Sequence, residues 1–416
     1  MTTRDSDEVC NCPRLRPLEA FPAVVSGREV LCLRDPQHFS KDVVYLPMHT
    51  AAVLGLFDGQ HSLLDIQEAY VRRFGTLIFR EDLLEVIRSL DEHLFLDSPR
   101  FADHRAAVEE AFRRETVRST LLAGTGYAAE PEALRRQLDG YFNAEDSPKS
   151  TPPSPSAGSI TGLVVPHIDF ARGGPCYAWG YRELEGAPHV DRWVILGTVH
   201  APIGKAFALT RKDFDTPLGR VETDQQFMDH FLALVGDGYL EDELSHRAEH
   251  SVEFQVVFLR HRRPPGSRVW IVPILCGSFD RFVEGRRSPQ EDDEMEGFIA
   301  ALRDTLATVG GRAVIIASAD LAHVGPRFGD PRRITPGQLR EVADADREML
   351  ATVENGDAEA FFRVVARDGD RRRICGLPPI YTMLRVLPQS RGRLLHYGQW
   401  PDPQGAVTFA SLAMYA

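Results

Sequence analysis

Leu163-Val164-Val165-Pro166-His167-Ile168-Asp169-Phe170 is an apolar, β-branched run that ends in a histidine beside a carboxylate. The pattern returns at Trp193-Val194-Ile195-Leu196-Gly197-Thr198-Val199-His200. It comes again at Ala313-Val314-Ile315-Ile316-Ala317-Ser318-Ala319-Asp320, with His323 just beyond. Continuous apolar runs of this length are what strands buried on both faces look like. Each delivers a polar, metal-competent residue at its carboxyl end, and in open α/β sheets that edge is where ligands bind. From Ile160 to the C-terminus such runs recur near 161–166, 192–197, 269–275, 313–318 and 405–411, with helical patterns between them. The alternation predicts an α/β fold with a mostly parallel, mixed sheet flanked by helices.

A single histidine ending a buried strand reads equally well as a core group with its hydrogen bonds satisfied. His167 and His200 together read differently, because they end successive strands expected to be neighbours, and adjacent strands lie about 4.8 Å apart. Their rings can then converge on one ion, and neutral imidazole is the commonest metal ligand. Ala248-Glu249-His250-Ser251-Val252-Glu253-Phe254 precedes an apolar run and reads as a helix start. Glu249 and Glu253 are one turn apart and can share a face, with His250 to one side. The stretch is not H-E-x-x-H, since no second histidine has that offset; a capped, solvated helix start is its other reading. Asp320 and His323 stand three residues apart, a spacing that suits a ligand with its orienting partner or an acid/base pair. Ile374-Cys375-Gly376-Leu377-Pro378-Pro379 places a thiol before a helix expected over Ile380–Val386, where a helix N-terminus lowers a cysteine pKa. Cys276, in a similar Cys-Gly setting after the 269–275 strand, is the rival thiol, and Cys176 is a weaker one.

Upstream the pattern changes. Residues 1–17 read as a disordered tail carrying a Cys10-x-Cys12 pair too sparse for a zinc site. Over 18–101 come short strands and a helix from Pro47 to Phe57. A second helix begins at Ser62, where Ser62 and Asp65 form a capping box, and a third runs from Arg80 to His93. Leu94-Phe95-Leu96-Asp97 then reads as one edge of a wing. The order resembles a winged helix, and Leu56-Phe57-Asp58-Gly59-Gln60-His61-Ser62-Leu63 resembles small peptide-binding domains that serve radical-enzyme pathways. The third helix carries Glu81, Asp82, Glu85, Asp91 and Glu92, which phosphates would avoid, so an interaction domain is expected rather than a DNA reader. A charged connecting helix is expected over 102–117 and a Pro/Ser-rich loop over 143–159.

With 48 basic and 60 acidic residues the chain carries a net charge of −12, which disfavours nucleic acid and anionic membranes as partners. The one basic run, Arg371-Arg372-Arg373, reads as a solvated turn. No apolar run approaches the ~18 residues of a spanning helix, and the N-terminus has no signal-peptide character, so a cytoplasmic protein is expected. Six irregularly spaced cysteines read as free thiols or ligands rather than a disulfide framework.

Taken in order, Ala123-Gly124-Thr125-Gly126-Tyr127, Val165-Pro166-His167, Leu196-Gly197-Thr198-Val199-His200, Thr216-Pro217-Leu218-Gly219, Glu249-His250-Ser251-Val252-Glu253, Ser318-Ala319-Asp320-Leu321-Ala322-His323, Ile374-Cys375-Gly376 and Leu395-His396-Tyr397 resemble the Memo family. Bacterial and archaeal members are often labelled AmmeMemoRadiSam system protein B. The similarity runs from about Arg118 to the C-terminus, which places the Memo-like domain at 118–416 and makes 143–159 an internal loop. The resemblance implies a fold related to class III extradiol dioxygenases, which hold non-haem iron with two histidines and a carboxylate. It implies a metal site of His167, His200 and Cys375, with His323 as acid/base and Asp320 and Glu249 lining the cleft. The sequence departs from the family at Ile168-Asp169, at Ala201 and at Gly126, and Asp169 adds a possible fourth ligand.

Two functions of different class follow. One is a metal-dependent redox enzyme, dioxygenase-like, using iron, or alternatively copper or zinc. The other is a non-enzymatic protein whose cleft binds a peptide or small molecule, acting beside a radical-SAM enzyme and an AMMECR-type protein.

Overall fold

The computed structural model describes residues 11–144, 147, 159–185, 189–264 and 266–416. The chain divides into two compact units, Met1–Arg114 and Glu115–Ala416.

In the first unit an antiparallel meander comes first: β1 (Glu19–Val25), β2 (Arg28–Arg34) and β3 (Val43–Pro47). Ser26 and Gly27, both at positive φ, make the tight turn between β1 and β2 that matches strand twist. Leu33, Leu46, Val53, Ile66, Leu83, Leu90 and Phe95 form this unit's own apolar core. The capping box forms: Ser62 Oγ accepts from Asp65 N–H, and Asp65 accepts from Ser62 N–H. Four expectations differ here. The helix expected over 47–57 is two short pieces, Met48–Ala51 and a 3₁₀ turn Leu54–Leu56; Gly55 sits in the second piece, and glycine is about 1 kcal/mol poorer than alanine in a helix. Leu94–Asp97 does not edge a wing. It pairs instead with residues 14–16, part of the stretch expected to be disordered, through Arg16 N–H to the Phe95 carbonyl at 3.0 Å and Asp97 N–H to the Arg14 carbonyl at 2.8 Å. The physical reason is Arg16, whose buried guanidinium meets Asp35 at 3.1 Å and lies 3.7 Å over the Phe101 ring. A buried charge is held only where it is paired. The helix expected as a connector over 102–117 is Pro99–Arg114 and falls within the first unit. Cys10 and most of the expected 143–159 loop lie outside the described residues.

The second unit begins with β4 (Val117–Arg118). It is built on a nine-stranded mixed sheet that contains β5 (Ile160–Val165), β6 (Arg192–Thr198), β7 (Phe207–Leu209), β9 (Glu222–Thr223), β10 (Trp270–Cys276), β11 (Ala313–Ser318), β12 (Asp320–Val324), β13 (Arg391–Asp402) and β14 (Gly405–Tyr415). A small strand, β8 (Asp213–Phe214), pairs with β4. The order is β12-β14-β5-β11-β6-β10-β7, with β13 on β14 and β9 on β10. β5, β11, β6 and β10 are parallel; β14 runs antiparallel to β5, β12 and β13. Side chains alternate between two cores. Leu163, Val165 and Ile195 pack with the helices Pro131–Phe142, Phe170–Arg182 and His250–His261 on one face. Val164, Val194 and Leu196 pack with Gln225–Val235, Asp293–Val309, Pro336–Glu354, Ala358–Ala366 and Leu377–Val386 on the other. Among the described residues no helix is long and apolar enough to cross a membrane.

The sheet corrects one premise. β5 and β6 are not neighbours, because β11 lies hydrogen-bonded between them. The chain leaves β5 for β6, moves outward to β10, and returns through Asp293–Val309 to fill the slot. His167 and His200 therefore flank the end of β11 from two strand positions apart.

Candidate metal centre

Just past β5, His167 is 2% exposed, and its Nδ1 lies 3.0 Å from the Ser318 carbonyl at the end of β11. A carbonyl only accepts, so Nδ1 carries the proton and the lone pair sits on Nε2. His167 N–H and Ile168 N–H both donate to Asp320 Oδ1, at 2.9 and 3.1 Å.

Past β6, His200 N–H donates to Glu249 Oε2 at 3.0 Å, and its Nδ1 lies 3.1 Å from both carboxylate oxygens. Glu249 caps the helix His250–His261, accepting from Ser251 N–H at 3.0 Å. Gly197 makes this approach possible: a Cβ there would stand 2.7 Å from Ser251 Oγ and 2.8 Å from Val252 Cγ2. His250 Nδ1 lies 3.2 Å from Glu249 Oε1, so one carboxylate faces two imidazoles. The rings of His200 and His250 stack at 4.8 Å, and His167 stands edge-on to both, at 5.2 and 5.4 Å. One ligand atom from each of the three lies within 4.8 Å of the others, a group that can hold a metal ion.

Cys375 arrives from the other side. Its Sγ is 3.2 Å from His167 Nε2 and 3.7 Å from the Asp320 carbonyl. Thr198 Oγ1 donates to the Cys375 carbonyl at 3.1 Å, and Gly376 N–H donates to the Asp320 carbonyl at 3.0 Å. Gly376 also has no room for a side chain, since a Cβ would stand 2.5 Å from that same oxygen. The helix starts at Leu377, three residues earlier than expected. Its N-terminus does not lower the thiol pKa. Burial, followed by the charge of Asp320, pushes Cys375 well above the ordinary range. Cys276 is packed in the apolar core below the sheet edge, and Cys176 is buried with Sγ 3.5 Å from Ser411 Oγ.

His323 is half-buried on β12. Its Nδ1 faces the carbonyls of Leu321 at 3.1 Å and Arg373 at 3.2 Å, so its lone pair also sits on Nε2. Its main-chain N–H donates to the Arg372 carbonyl at 2.7 Å. The basic run expected as a solvated turn is thus a strut. Arg372 turns its side chain inward to the fully buried Asp346, which also accepts from Thr408 Oγ1 at 2.6 Å and Tyr397 Oη at 2.9 Å. Thr408 in turn accepts from Ala322 N–H at 2.8 Å and so fixes β12.

Burial governs the charges. It raises Asp320 to about 7 and lowers His323 and His250 to about 4. His167 is lowered well below the usual histidine range, again chiefly by burial. Burial alone would raise Glu249, but the charges of His200 and His250 outweigh it and hold the carboxyl well below its ordinary value.

Two carboxylates serve elsewhere. Asp169 caps the helix Phe170–Arg182 and pairs with Arg172. Glu253 does not share Glu249's face. It pairs with the buried Arg118 and accepts from Leu122 N–H at 2.9 Å and Tyr127 Oη at 2.5 Å. Arg118 also donates to the carbonyls of His246 and Glu249, both at 3.0 Å, fixing the helix start that carries His250. Sequence reasoning missed Arg118, because an arginine at the end of a charged stretch looks solvated. It also set His250 aside, although the E-H pair at a helix start was its signal.

The family model described as Memo-like protein matches residues 118–412. A MEMO1 family protein of Aquifex aeolicus is 27% identical over 388 residues, covering 92% of this chain and 95% of its own. One from Methanosarcina acetivorans is 30% identical over 296 residues, covering 70% of this chain and 95% of its own. One from Thermus thermophilus is 26% identical over 334 residues, covering 80% and 92% respectively.

Proposed function

We propose, from the premise that this chain belongs to the Memo-like protein family, that its second unit is a metal-dependent redox protein with an ion held by His167, His200 and Cys375. The observation that carries the reading is tautomeric. A backbone carbonyl and a buried carboxylate fix Nδ1–H on His167 and His200, which leaves both lone pairs on Nε2, and the Cys375 thiol lies 3.2 Å from His167 Nε2. Ligating histidines are held in this way by their outer partners. Two imidazoles and a thiolate suit iron, copper or zinc, and the likeness to the iron-binding dioxygenases puts iron first. When bound, such an ion supplies Lewis acidity and, if redox-active, an electron couple. The fold relationship to class III extradiol dioxygenases belongs to the same reading.

The chain's own groups would handle protons. His323 is neutral at neutral pH and offers Nε2 as a base. Asp320, raised to about 7, can hold or release a proton while its Oδ1 keeps His167 in place. The Cys375 thiol stays protonated until a cation displaces its proton, so metal uptake should release acid and strengthen as pH rises. A second reading makes the protein a recruiter for a radical-SAM enzyme and an AMMECR-type partner. The observation favouring it is the first unit, a small module that leaves Val24, Tyr45, Leu64, Leu77 and Phe79 exposed.

Metal analysis of protein purified without oxygen tests the proposal. His167→Ala, His200→Ala and Cys375→Ala should each lose most of the ion, whereas Cys276→Ala and His323→Ala should keep it. Oxygen consumption by the loaded protein, lost in His323→Ala, would favour the enzyme over the recruiter. If the three ligand variants bind like the parent, the two histidines are core residues and the reading fails.

A further inference from the structure

We infer that His250 is an additional imidazole donor of this site, so that the pair His167 and His200 can be completed either by Cys375 or by His250. The inference rests on the metal reading above and concerns which atoms complete the set. Glu249 Oε1 is 3.1 Å from His200 Nδ1 and 3.2 Å from His250 Nδ1. An ionised carboxylate only accepts, so His200, hydrogen-bonded to it, carries its lone pair on Nε2, and His250 stands at ion-pair distance from the same oxygen. The two rings are nearly parallel, 21° apart, and turn the same edge toward one carboxylate. One ring nitrogen of each clusters with one of His167, which stands edge-on to both rings.

Spacing supports the assignment. The three imidazoles offer donor atoms within 4.8 Å of one another. Two nitrogens on one tetrahedral ion stand about 3.4 Å apart, given metal–nitrogen bonds of about 2.1 Å. A small ring rotation closes the difference, and the His250 side chain, about one-third exposed, has room for it. Its root is fixed, because Arg118 holds the Glu249 carbonyl and Glu249 caps the helix. The two completions differ in chemistry: thiolate favours soft ions, and a third imidazole favours borderline ones.

Cobalt(II) titration of the full chain tests this, read by affinity and by the thiolate-to-cobalt charge-transfer absorption. Cys375→Ala, although it loses most of the ion carried through purification, should still bind added cobalt without that absorption, held by three imidazoles. His250→Ala should retain cobalt with the absorption intact. The double variant should lose more than the roughly 10–100-fold that removal of an outer partner costs. His189→Ala, an exposed position, is the control. Circular dichroism checks folding, and His250→Gln, which keeps a donor toward Glu249, replaces the alanine variant if that one misfolds. If the double variant binds no more weakly than Cys375→Ala alone, His250 is not a donor and the inference fails. If His167→Ala and His200→Ala bind cobalt like the parent, the metal reading itself fails, a different result.

Discussion

His246 shows at single-residue scale what burial does in this protein. Its ring is 1% exposed, Nε2–H donates to the Ala208 carbonyl at 3.0 Å, and burial lowers its pKa from 6.5 to about 4. A histidine with a depressed folded pKa contributes stability that is fully present above the unfolded value and is lost as pH falls through the folded one. The window is therefore pH 6.5 down to about 4. At 1.36 kcal/mol per pKa unit, this one group accounts for about 3 kcal/mol across the window. Urea midpoints measured from pH 7.5 to 4 should fall with acid, and His246→Gln should flatten the slope by about that share, whatever it does to stability at pH 7.5. An unchanged slope would mean that the ring titrates alike folded and unfolded. Glu249 and Glu253 make the complementary point. They are one turn apart and indistinguishable in sequence, yet one faces two histidines and the other an arginine. Spacing alone could not say which, because the first is a cap outside the helix and the second lies inside it.

At the scale of elements, the helix His250–His261 is aimed by charge pairing at its first turn. Arg118 and Glu253 are both about 1% exposed. Removing one partner of such a pair leaves an uncompensated buried charge and costs about 3–5 kcal/mol, whereas an apolar replacement of both is often neutral. Arg118→Met should therefore lower stability by about that amount in denaturant unfolding and weaken metal binding, because the Glu249 carbonyl loses its donor. Arg118→Met with Glu253→Leu should recover most of the stability but not the metal affinity. Recovery of neither would show that the hydrogen bonds, not the charges, hold this helix. The strands that end at His167, His200 and Asp320 were legible because apolar runs of that length have few other readings. Their order was not. β11 enters between β5 and β6 only because the chain returns from β10 to an open slot, and no residue within those strands encodes that. β12 was missed because only Ala319 separates it from β11, so its polar residues were read as site residues with no strand beneath them.

At the scale of the whole chain, the two units differ in what they bury. The first closes a small core of its own around Ile66, Leu83 and Phe95 and leaves much apolar surface open; the second builds two cores on either side of one sheet. All the groups proposed to meet the ion, and the struts behind them from Arg118 to Arg372, come from Glu115–Ala416. The Memo-like match begins at 118, and the Arg118 side chain belongs to that machinery, since it holds the Glu249 carbonyl. A chain shortened to residues 115–416 should therefore fold, melt cooperatively and bind the same amount of metal as the full chain, with His250→Ala and Cys375→Ala behaving alike in both lengths. Calorimetry of the full chain should then show a second transition absent from the shorter one. Should the shorter chain be insoluble, or fold yet lose the ion, the second unit depends on the first, and a site argued from 115–416 alone is incomplete.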